Sequence, residues 1–247
     1  MKDEPINTGK TENAPASTPI YRYEPRSKPA EMVVDYPDME KIEKHVERYV
    51  GNVGMVYHEV ISDLVHLDIF LVNPSPERNF FTLVTSGMSQ RPMKAPPEAE
   101  KFQYAELMIC LPPYWPLNDE ALKDETFYWP LRQLKILARF PHEYDTWVWY
   151  GHTIANGEPP RPFAPDTKFS GIVLALPVLS PQEFWTLEIN ENKTVFFLSV
   201  IPLYKDEMEM KLKKGSEDLF KRFDRQGVSE LLNLKRPSVY KKWWRLF

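Results

Sequence analysis

The sequence has little cysteine, little glycine and no long apolar run. Its one cysteine, Cys110, excludes an internal disulfide or a cysteine-based zinc site and is typical of a reducing compartment, so a cytoplasmic location is expected. Nine glycines against 24 prolines leave few of the flexible loops that hold phosphates in nucleotide-binding folds. Residues 195–204, the longest apolar run, reach about half of the roughly 20 residues that a membrane span requires. The acidic residues in positions 1–10 do not fit a secretory signal.

The charge of the chain is unevenly distributed. The formal net charge is -4, but residues 231–247 carry five basic and no acidic side chains, which leaves -9 on the rest of the chain. An acidic body argues against unaided nucleic-acid binding and favours a basic protein partner.

Hydrophobic periodicity divides the chain into two tails and one domain. Residues 1–36 are rich in proline and polar side chains and lack an apolar period, which predicts a tail that is flexible or lies over the surface of the domain. Residues 37–235 form the predicted domain, and residues 236–247 form a basic, aromatic tail. In that tail, the mixture of cations and aromatics from Tyr240 onwards fits a membrane-interface anchor or single-stranded nucleic acid, but docking of the aromatics on the domain is favoured.

The domain is predicted to have an α+β fold. Asp38 is expected to cap a helix over about 39–50, and further helices are predicted over 130–139 and 206–214, with one or two more turns before Gly227. Pro141 is expected to end the helix over 130–139. A proline-rich, exposed loop is predicted at 87–103, and a second proline-rich loop is predicted at 151–167. Alternating patterns predict strands over 53–60, 65–72, 79–86, 104–111, 169–176, 183–190 and 194–203. Runs of strands with few helices indicate a single domain with a large mixed, mainly antiparallel sheet flanked by helices.

Candidate metal ligands are present, but none has a diagnostic spacing. His66 and Asp68 lie on one face of the strand 65–72 because side chains alternate, which permits either a shared ion or a hydrogen-bonded pair. The other candidate ligands are His58, Glu59, His142, Glu143, Asp145 and His152. A metal-dependent hydrolase that uses His66, Asp68, His142 and His152 is therefore the alternative function, although hydrogen bonding between buried polar groups is the commoner arrangement. No cofactor and no metal are assigned.

The sequence shows no complete catalytic motif. Gly9, Lys10 and Thr11 resemble the end of a phosphate-binding loop, but the glycine required five positions earlier is Glu4. The stretch TSGMS at 85–89 lacks the G-x-S-x-G pattern and is typical of a turn at a strand end. Cys110 lies among apolar residues, where burial would raise its pKa and suppress its reactivity. These observations favour a protein that is not an enzyme.

Aromatic residues with polar groups are concentrated at 147–152, in the segment WVWYGH. Such residues are the usual anchors of protein interfaces, although at least one of Trp147 and Trp149 is expected to belong to the core.

Six sequence blocks, in order, resemble the bacterial branch of the suppressor of fused family, over about residues 38–235. They are HLDIF (66–70), FFTLVTSGMS (80–89), YAELMICLPPYWPL (104–117), WPLRQLKILARFPHEYDTWVWYGHT (129–153), EFWTLEI (183–189) and PLYKDEMEMKLKKG (202–215).

The resemblance implies an α+β domain that acts by binding proteins and has no established catalytic activity. The animal protein holds an extended peptide of a zinc-finger transcription factor between two domains, and bacterial members are thought to include immunity proteins that neutralise toxins. This chain is too short for the second domain of the animal protein, so that clamp is not expected. A cytoplasmic immunity-type binder is predicted instead, with a protein partner such as a toxin, and no nucleic acid or membrane. Its predicted contact residues are His66, Asp68, Tyr104, Glu106, Trp147, Trp149, Tyr150 and His152.

Overall fold

A computed structural model describes residues 20–25, 37–58 and 65–240. Eight strands in this part of the chain form one sheet. They are β1 (Val53–His58), β2 (Asp68–Val72), β3 (Phe81–Ser86), β4 (Ala105–Leu111), β5 (Thr153–Ala155), β6 (Phe169–Ala175), β7 (Thr186–Asn190) and β8 (Lys193–Tyr204).

The sheet has the order β1-β2-β3-β4-β8-β6-β5, and β7 pairs with the first part of β8. Strands β1 to β4 form an antiparallel meander. Strand β8 then lies parallel to β4 and antiparallel to β6 and β7. The expectation of a mixed, mainly antiparallel sheet in an α+β fold is confirmed.

Helices cover both faces of this sheet. The helices are α1 (Met39–Tyr49), α2 (Glu125–Glu143), α3 (Lys205–Lys214) and α4 (Ser216–Gln226). Helix α2 packs on the face formed by alternate residues of β2, β3 and β4, which include Ile69, Leu83 and Leu107. Helix α1 covers the opposite face, where Ile42 and Val46 meet Phe70 and Met108. Because both faces are covered, all seven residues of β4 are buried.

Helices α3 and α4 form a third cluster with β6 and the second half of β8. Leu219 and Phe223 of α4 pack against Val173 and Leu203. Helix α4 runs for 11 residues, whereas the sequence predicted only one or two turns before Gly227. None of the helices in the described ranges is long and apolar enough to cross a membrane.

Helix α2 is longer than predicted and is not ended by Pro141. It begins after Asp124, whose carboxylate accepts a hydrogen bond from the Thr126 amide at 2.8 Å, and it includes Pro130 and Pro141. Asp38 precedes α1 but makes no capping hydrogen bond with its side chain. Its carboxylate instead lies 2.8 Å from Lys193 Nζ of β8.

Both predicted loops contain more structure than expected. The 87–103 segment forms short 3₁₀ helices at Met88–Gln90 and Pro97–Phe102, and Met88 and Met93 are buried rather than exposed. The 151–167 segment contains the edge strand β5. Apolar anchors within these proline-rich stretches hold them against the domain.

Parts of both tails contact the domain. Arg22 donates two hydrogen bonds to the Glu158 carboxylate, and Tyr23 packs edge-on against Phe140 of α2. At the other end, Tyr240 donates a hydrogen bond of 2.7 Å to Asp218 of α4. Residues 1–19, 26–36 and 241–247, which include most of the predicted tails, lie outside the described residues.

Candidate functional site

The segment 147–152 is fixed between α2 and the sheet. The Gly151 amide donates to the Leu174 carbonyl of β6 at 2.8 Å, and the Leu174 amide donates to the His152 carbonyl at 3.0 Å. Val148 is buried in the core, whereas Trp147 and Trp149 are half-buried at its margin and Tyr150 is exposed. The two tryptophans therefore contribute to the core and also reach the surface.

Aromatic rings from distant parts of the chain surround this segment. Trp149 stacks on Phe102 with ring centroids 4.0 Å apart and meets Phe196 of β8 edge-on at 4.9 Å. Trp147 meets the His152 ring at 4.9 Å, and Tyr150 stacks on Phe220 of α4 at 4.7 Å. We call Phe102, Trp147, Trp149, Tyr150, His152 and Phe196 the aromatic surface. These ring contacts hold the side chains in fixed orientations.

The surroundings of His152 within this surface disfavour its charged form. Its Nδ1 accepts a hydrogen bond from the Trp149 amide at 3.2 Å. Burial, and then the charge of Lys211, lower the pKa of His152 below its ordinary value. The ring is therefore better suited to packing and hydrogen bonding than to carrying a positive charge.

Tyr104 lies on the other face of the sheet from Trp149. Its half-buried ring packs with the α1 cluster, whereas Trp149 packs with the α2 cluster. Lys193 Nζ lies 4.9 Å from the centre of the Tyr104 ring, a cation–π contact. The structure thus separates Tyr104 from the aromatic surface, although the sequence predicted a single contact surface.

Glu106 is fully buried and does not reach the surface where the sequence placed it. Its carboxylate accepts hydrogen bonds from Thr85 Oγ1 at 2.6 Å, the amides of Gly87 and Ser89 at 2.9 and 3.0 Å, and Ser89 Oγ at 2.7 Å. Gly87 has φ +137°, and a Cβ there would lie 2.1 Å from the His66 carbonyl oxygen. Glu106 therefore holds the turn after β3 and would affect a partner only through that turn.

His66 and Asp68 lie together, as the alternation predicted, and β1 adds His58. His58 lies directly opposite Asp68 in the β1–β2 pairing. His58 Nδ1 is 2.9 Å from Asp68 Oδ1, and His66 Nε2 is 3.4 Å from the same oxygen. Both imidazoles are exposed, whereas the Asp68 side chain is 2% exposed.

The ligand set of the alternative hydrolase is not assembled. His142 is buried with its Nε2 2.9 Å from the Met88 carbonyl oxygen, and His152 belongs to the aromatic surface. Within the described ranges, the only group of three or more potential metal ligands is His58, His66 and Asp68. Glu59 lies outside the described residues.

Cys110 is buried, as its apolar neighbours predicted. Burial, reinforced by the charge of Glu230, raises the pKa of the Cys110 thiol to about 12. A thiol with this pKa is protonated at neutral pH and is a poor nucleophile.

Phe102 and Phe196 are site residues that the sequence does not predict. Phe102 ends a 3₁₀ helix in a stretch that was predicted to be an exposed loop, and Phe196 belongs to a strand whose partners were unknown. Their aromatic character was the only available signal, and the contacts with Trp149 depend on the folded chain.

Comparisons with known proteins agree with this architecture. Residues 63–237 match the family model of the suppressor of fused protein. No curated protein sequence matches the chain. Among solved structures, a suppressor of fused homolog from Neisseria gonorrhoeae superposes with a TM-score of 0.60 at 20% identity, covering 83% of this chain and 97% of that one.

Two further solved structures share the fold. A chain of the Sufu–Fu complex has a TM-score of 0.58 at 14% identity, covering 83% of this chain and 93% of that one. Drosophila suppressor of fused has a TM-score of 0.55 at 14% identity, covering 82% of this chain and 50% of that one. These likenesses show the fold, and the family model covers most of the sequence. The chain belongs to the suppressor of fused family.

Proposed function

We propose that this protein is a non-enzymatic, cytoplasmic protein-binding module of bacterial immunity type, which sequesters or neutralises a toxin or another protein. Residues 37–235 would form the binding domain. The observation that carries the proposal is the aromatic surface, because half-exposed tryptophan and tyrosine rings that are already held in place lose little conformational entropy on binding. The complex that a related chain forms with Fu supports the same mode of action.

The charge of the chain favours a basic partner. Outside residues 231–247 the net charge is -9, which would speed association with a basic protein through long-range attraction. Exposed His66 and half-buried Tyr104 are further proposed contact residues, and Tyr104 would meet a partner on the other face of the sheet from the aromatic surface. Asp68 and Glu106 are buried, so they would act by positioning His66 and the turn after β3.

The buried thiol supports binding rather than covalent catalysis. Cys110 is the only cysteine, and its raised pKa makes it unsuited to nucleophilic attack. The four ligands of the alternative hydrolase do not lie together, and His142 is hydrogen-bonded to a backbone carbonyl. This arrangement also favours binding over catalysis.

A binding experiment with matched aromatic variants tests the proposal. The partner offered is the product of the reading frame next to this gene, and affinity is measured with the purified proteins. Trp149→Ala and Tyr150→Ala should each weaken binding by about 30-fold, the effect of losing an interface hot spot. Tyr114→Ala is the control, because Tyr114 is 82% exposed and lies outside the aromatic surface.

Survival of cells tests the immunity role separately. Expression of this protein should protect cells that produce the neighbouring gene product, and the Tyr150→Ala variant should protect less. If the neighbouring product is harmless, the toxin hypothesis fails. If both surface variants bind like Tyr114→Ala, the aromatic surface is not the contact site.

A further inference from the structure

The group His58, His66 and Asp68 lies where β1 ends and β2 begins. His58 is the last residue of β1 and faces Asp68, the first residue of β2, in the antiparallel pairing. Directly opposed residues of an antiparallel pair lie on the same face of the sheet. His66 precedes Asp68 by two positions, and its Nε2 also reaches the Asp68 carboxylate.

The distances within this group fit ligands that share one metal ion. Metal–ligand bonds of about 2.0–2.1 Å in a tetrahedron place neighbouring ligand atoms about 3.3 Å apart. The two imidazole nitrogens lie 2.9 and 3.4 Å from Asp68 Oδ1, and all three ligand atoms lie within 4.8 Å of one another. Both imidazole rings are exposed, so they are free to rotate towards the ideal separation.

The surroundings of Asp68 favour a bound cation. Its side chain is 2% exposed, and the hydrogen bond with His58 at 2.9 Å supplies part of the compensation that a buried carboxylate needs, to which a bound cation would add. Ser86 faces Asp68 on the other side, in the β2–β3 pairing. The Ser86 hydroxyl is buried and makes no hydrogen bond within the described part of the chain. A buried hydroxyl oxygen on the strand next to Asp68 is thus unused by hydrogen bonds within the described residues.

The donor types select the class of ion. Two imidazoles and one carboxylate suit zinc and the neighbouring transition metals, whereas magnesium and calcium prefer oxygen ligands alone. The side chains of His58 and His66 are 64% and 48% exposed, so an ion bound between them is open to solvent. Three protein ligands leave a fourth position for water.

We propose that His58, His66 and Asp68 bind one divalent transition-metal ion, with zinc as the expected occupant. This site does not depend on the proposed binding of a protein partner, and it is tested on the isolated chain. Failure of the metal site would therefore leave the proposed function untouched.

Calorimetric titration of the metal-free protein with zinc chloride tests the site. The wild-type chain should bind one zinc ion, and magnesium chloride should give no binding. His58→Gln, His66→Gln and Asp68→Asn should each weaken zinc binding by more than about tenfold, since even loss of a group that only supports a ligand has that effect. Glu188→Gln, which changes an exposed carboxylate on β7, is the control and should bind zinc like wild type.

Thermal unfolding provides the second measurement. Zinc should raise the melting temperature of the wild type and of Glu188→Gln, because an ion that binds only the folded state stabilises it, and should not raise that of the three site variants. If Asp68→Asn does not fold, the two histidine variants test the site. His58 and His66 are exposed, so their replacement should leave the fold intact. Absence of zinc binding by the wild type, or unchanged affinity in both histidine variants, would overturn the proposal.

Discussion

His45, a single buried histidine of α1, connects the stability of the protein to pH. Its ring stacks against both Phe184 and Phe197, and its Nε2 lies 3.0 Å from the Phe184 carbonyl oxygen. Burial lowers the pKa of His45 below 6.5, although this hydrogen bond opposes the shift. The unfolded chain therefore takes up this proton more readily than the folded protein. The stabilisation by neutral His45 is complete above pH 6.5 and is lost as the pH falls towards the lowered pKa.

We expect the free energy of unfolding of the wild type to fall between about pH 7.5 and about pH 5.5, on either side of the ordinary histidine pKa. In His45→Gln the free energy of unfolding should fall less steeply over the same pH range. Part of the fall should remain, because the pKa of His152 is also lowered by burial. Urea unfolding at the two pH values measures both slopes. Equal slopes would show that His45 does not contribute.

Replacement of Glu106 by glutamine tests the turn after β3. The amide side chain of glutamine would offer one acceptor oxygen to the backbone amides of Gly87 and Ser89 and to the Thr85 hydroxyl, where the carboxylate of Glu106 offers two. We expect Glu106→Gln to lower the free energy of unfolding by roughly 2–4 kcal/mol, the effect of leaving one or two buried donors unpaired. Glu188→Gln, at an exposed position, should change it by less than about 0.5 kcal/mol. Urea unfolding measures both variants. Equal changes in the free energy of unfolding for Glu106→Gln and Glu188→Gln would show that Glu106 does not stabilise the turn after β3.

Single residues differ in how far the sequence predicts them. The apolar neighbours of Cys110 predicted its burial, and alternation along β2 predicted that His66 and Asp68 share a face. Nothing in the sequence around Glu106 indicates that the turn after β3 supplies its hydrogen-bond donors. The contact between His58 and Asp68 depends on the register of two strands, which hydrophobic periodicity does not determine.

Helix α3 anchors the C-terminal segment through a buried ion pair. Glu207 is fully buried, and its carboxylate accepts hydrogen bonds from Arg236 at 2.6 and 2.7 Å and from the Val239 amide at 2.9 Å. Glu207→Ala leaves the Arg236 guanidinium largely buried without its partner, so we expect a loss of about 3–5 kcal/mol in the free energy of unfolding.

An exposed ion pair on the same helix provides the control. Lys205 and Glu209 are 4.0 Å apart and exposed, so Glu209→Ala should change stability by less than about 1 kcal/mol. Urea unfolding of both variants measures the difference. A similar small effect in both would show that the buried pair does not anchor the C-terminal segment.

Elements with strong local patterns were predicted best. The seven predicted strands all correspond to observed strands, with shifts at their ends. Helix α2 extends beyond its predicted range because Asp124 caps an earlier start, and the helix continues past Pro141 to Glu143. The short strand β5 was missed because three residues in a proline-rich stretch carry no periodic signal, and pairing with β6 forms it.

The topology of the whole sheet predicts an uneven resistance to local opening. Strands β4 and β8 have neighbours on both sides, whereas β1 and β5 lie at the two ends. Hydrogen exchange should be slowest for backbone amides of β4 and the middle of β8, since these open only when much of the domain unfolds. The amides of β1 and β5 should exchange faster by orders of magnitude. Uniform protection across the sheet would contradict this expectation.

For the molecule as a whole, the sequence predicted the fold class but not the order of the strands in the sheet. The resemblance to the suppressor of fused family and the strand-rich pattern together indicated a mainly antiparallel α+β domain. The parallel contact of β4 with β8 joins segments far apart in the chain and has no local signal. The aromatic surface has the same origin, because Phe102, Trp149 and Phe196 meet only after β4 and β8 pair.

The parallel pairing also affects the chain while the ribosome is still making it. About 80 residues separate the end of β4 from the start of β8, which corresponds to roughly 4–16 s of synthesis. During that interval the apolar strand β4 has emerged with one edge still lacking its partner, and such edges attract other strands. Until translation reaches β8, that edge of β4 is open to pairing with other strands, which a chaperone that covers β4 would prevent.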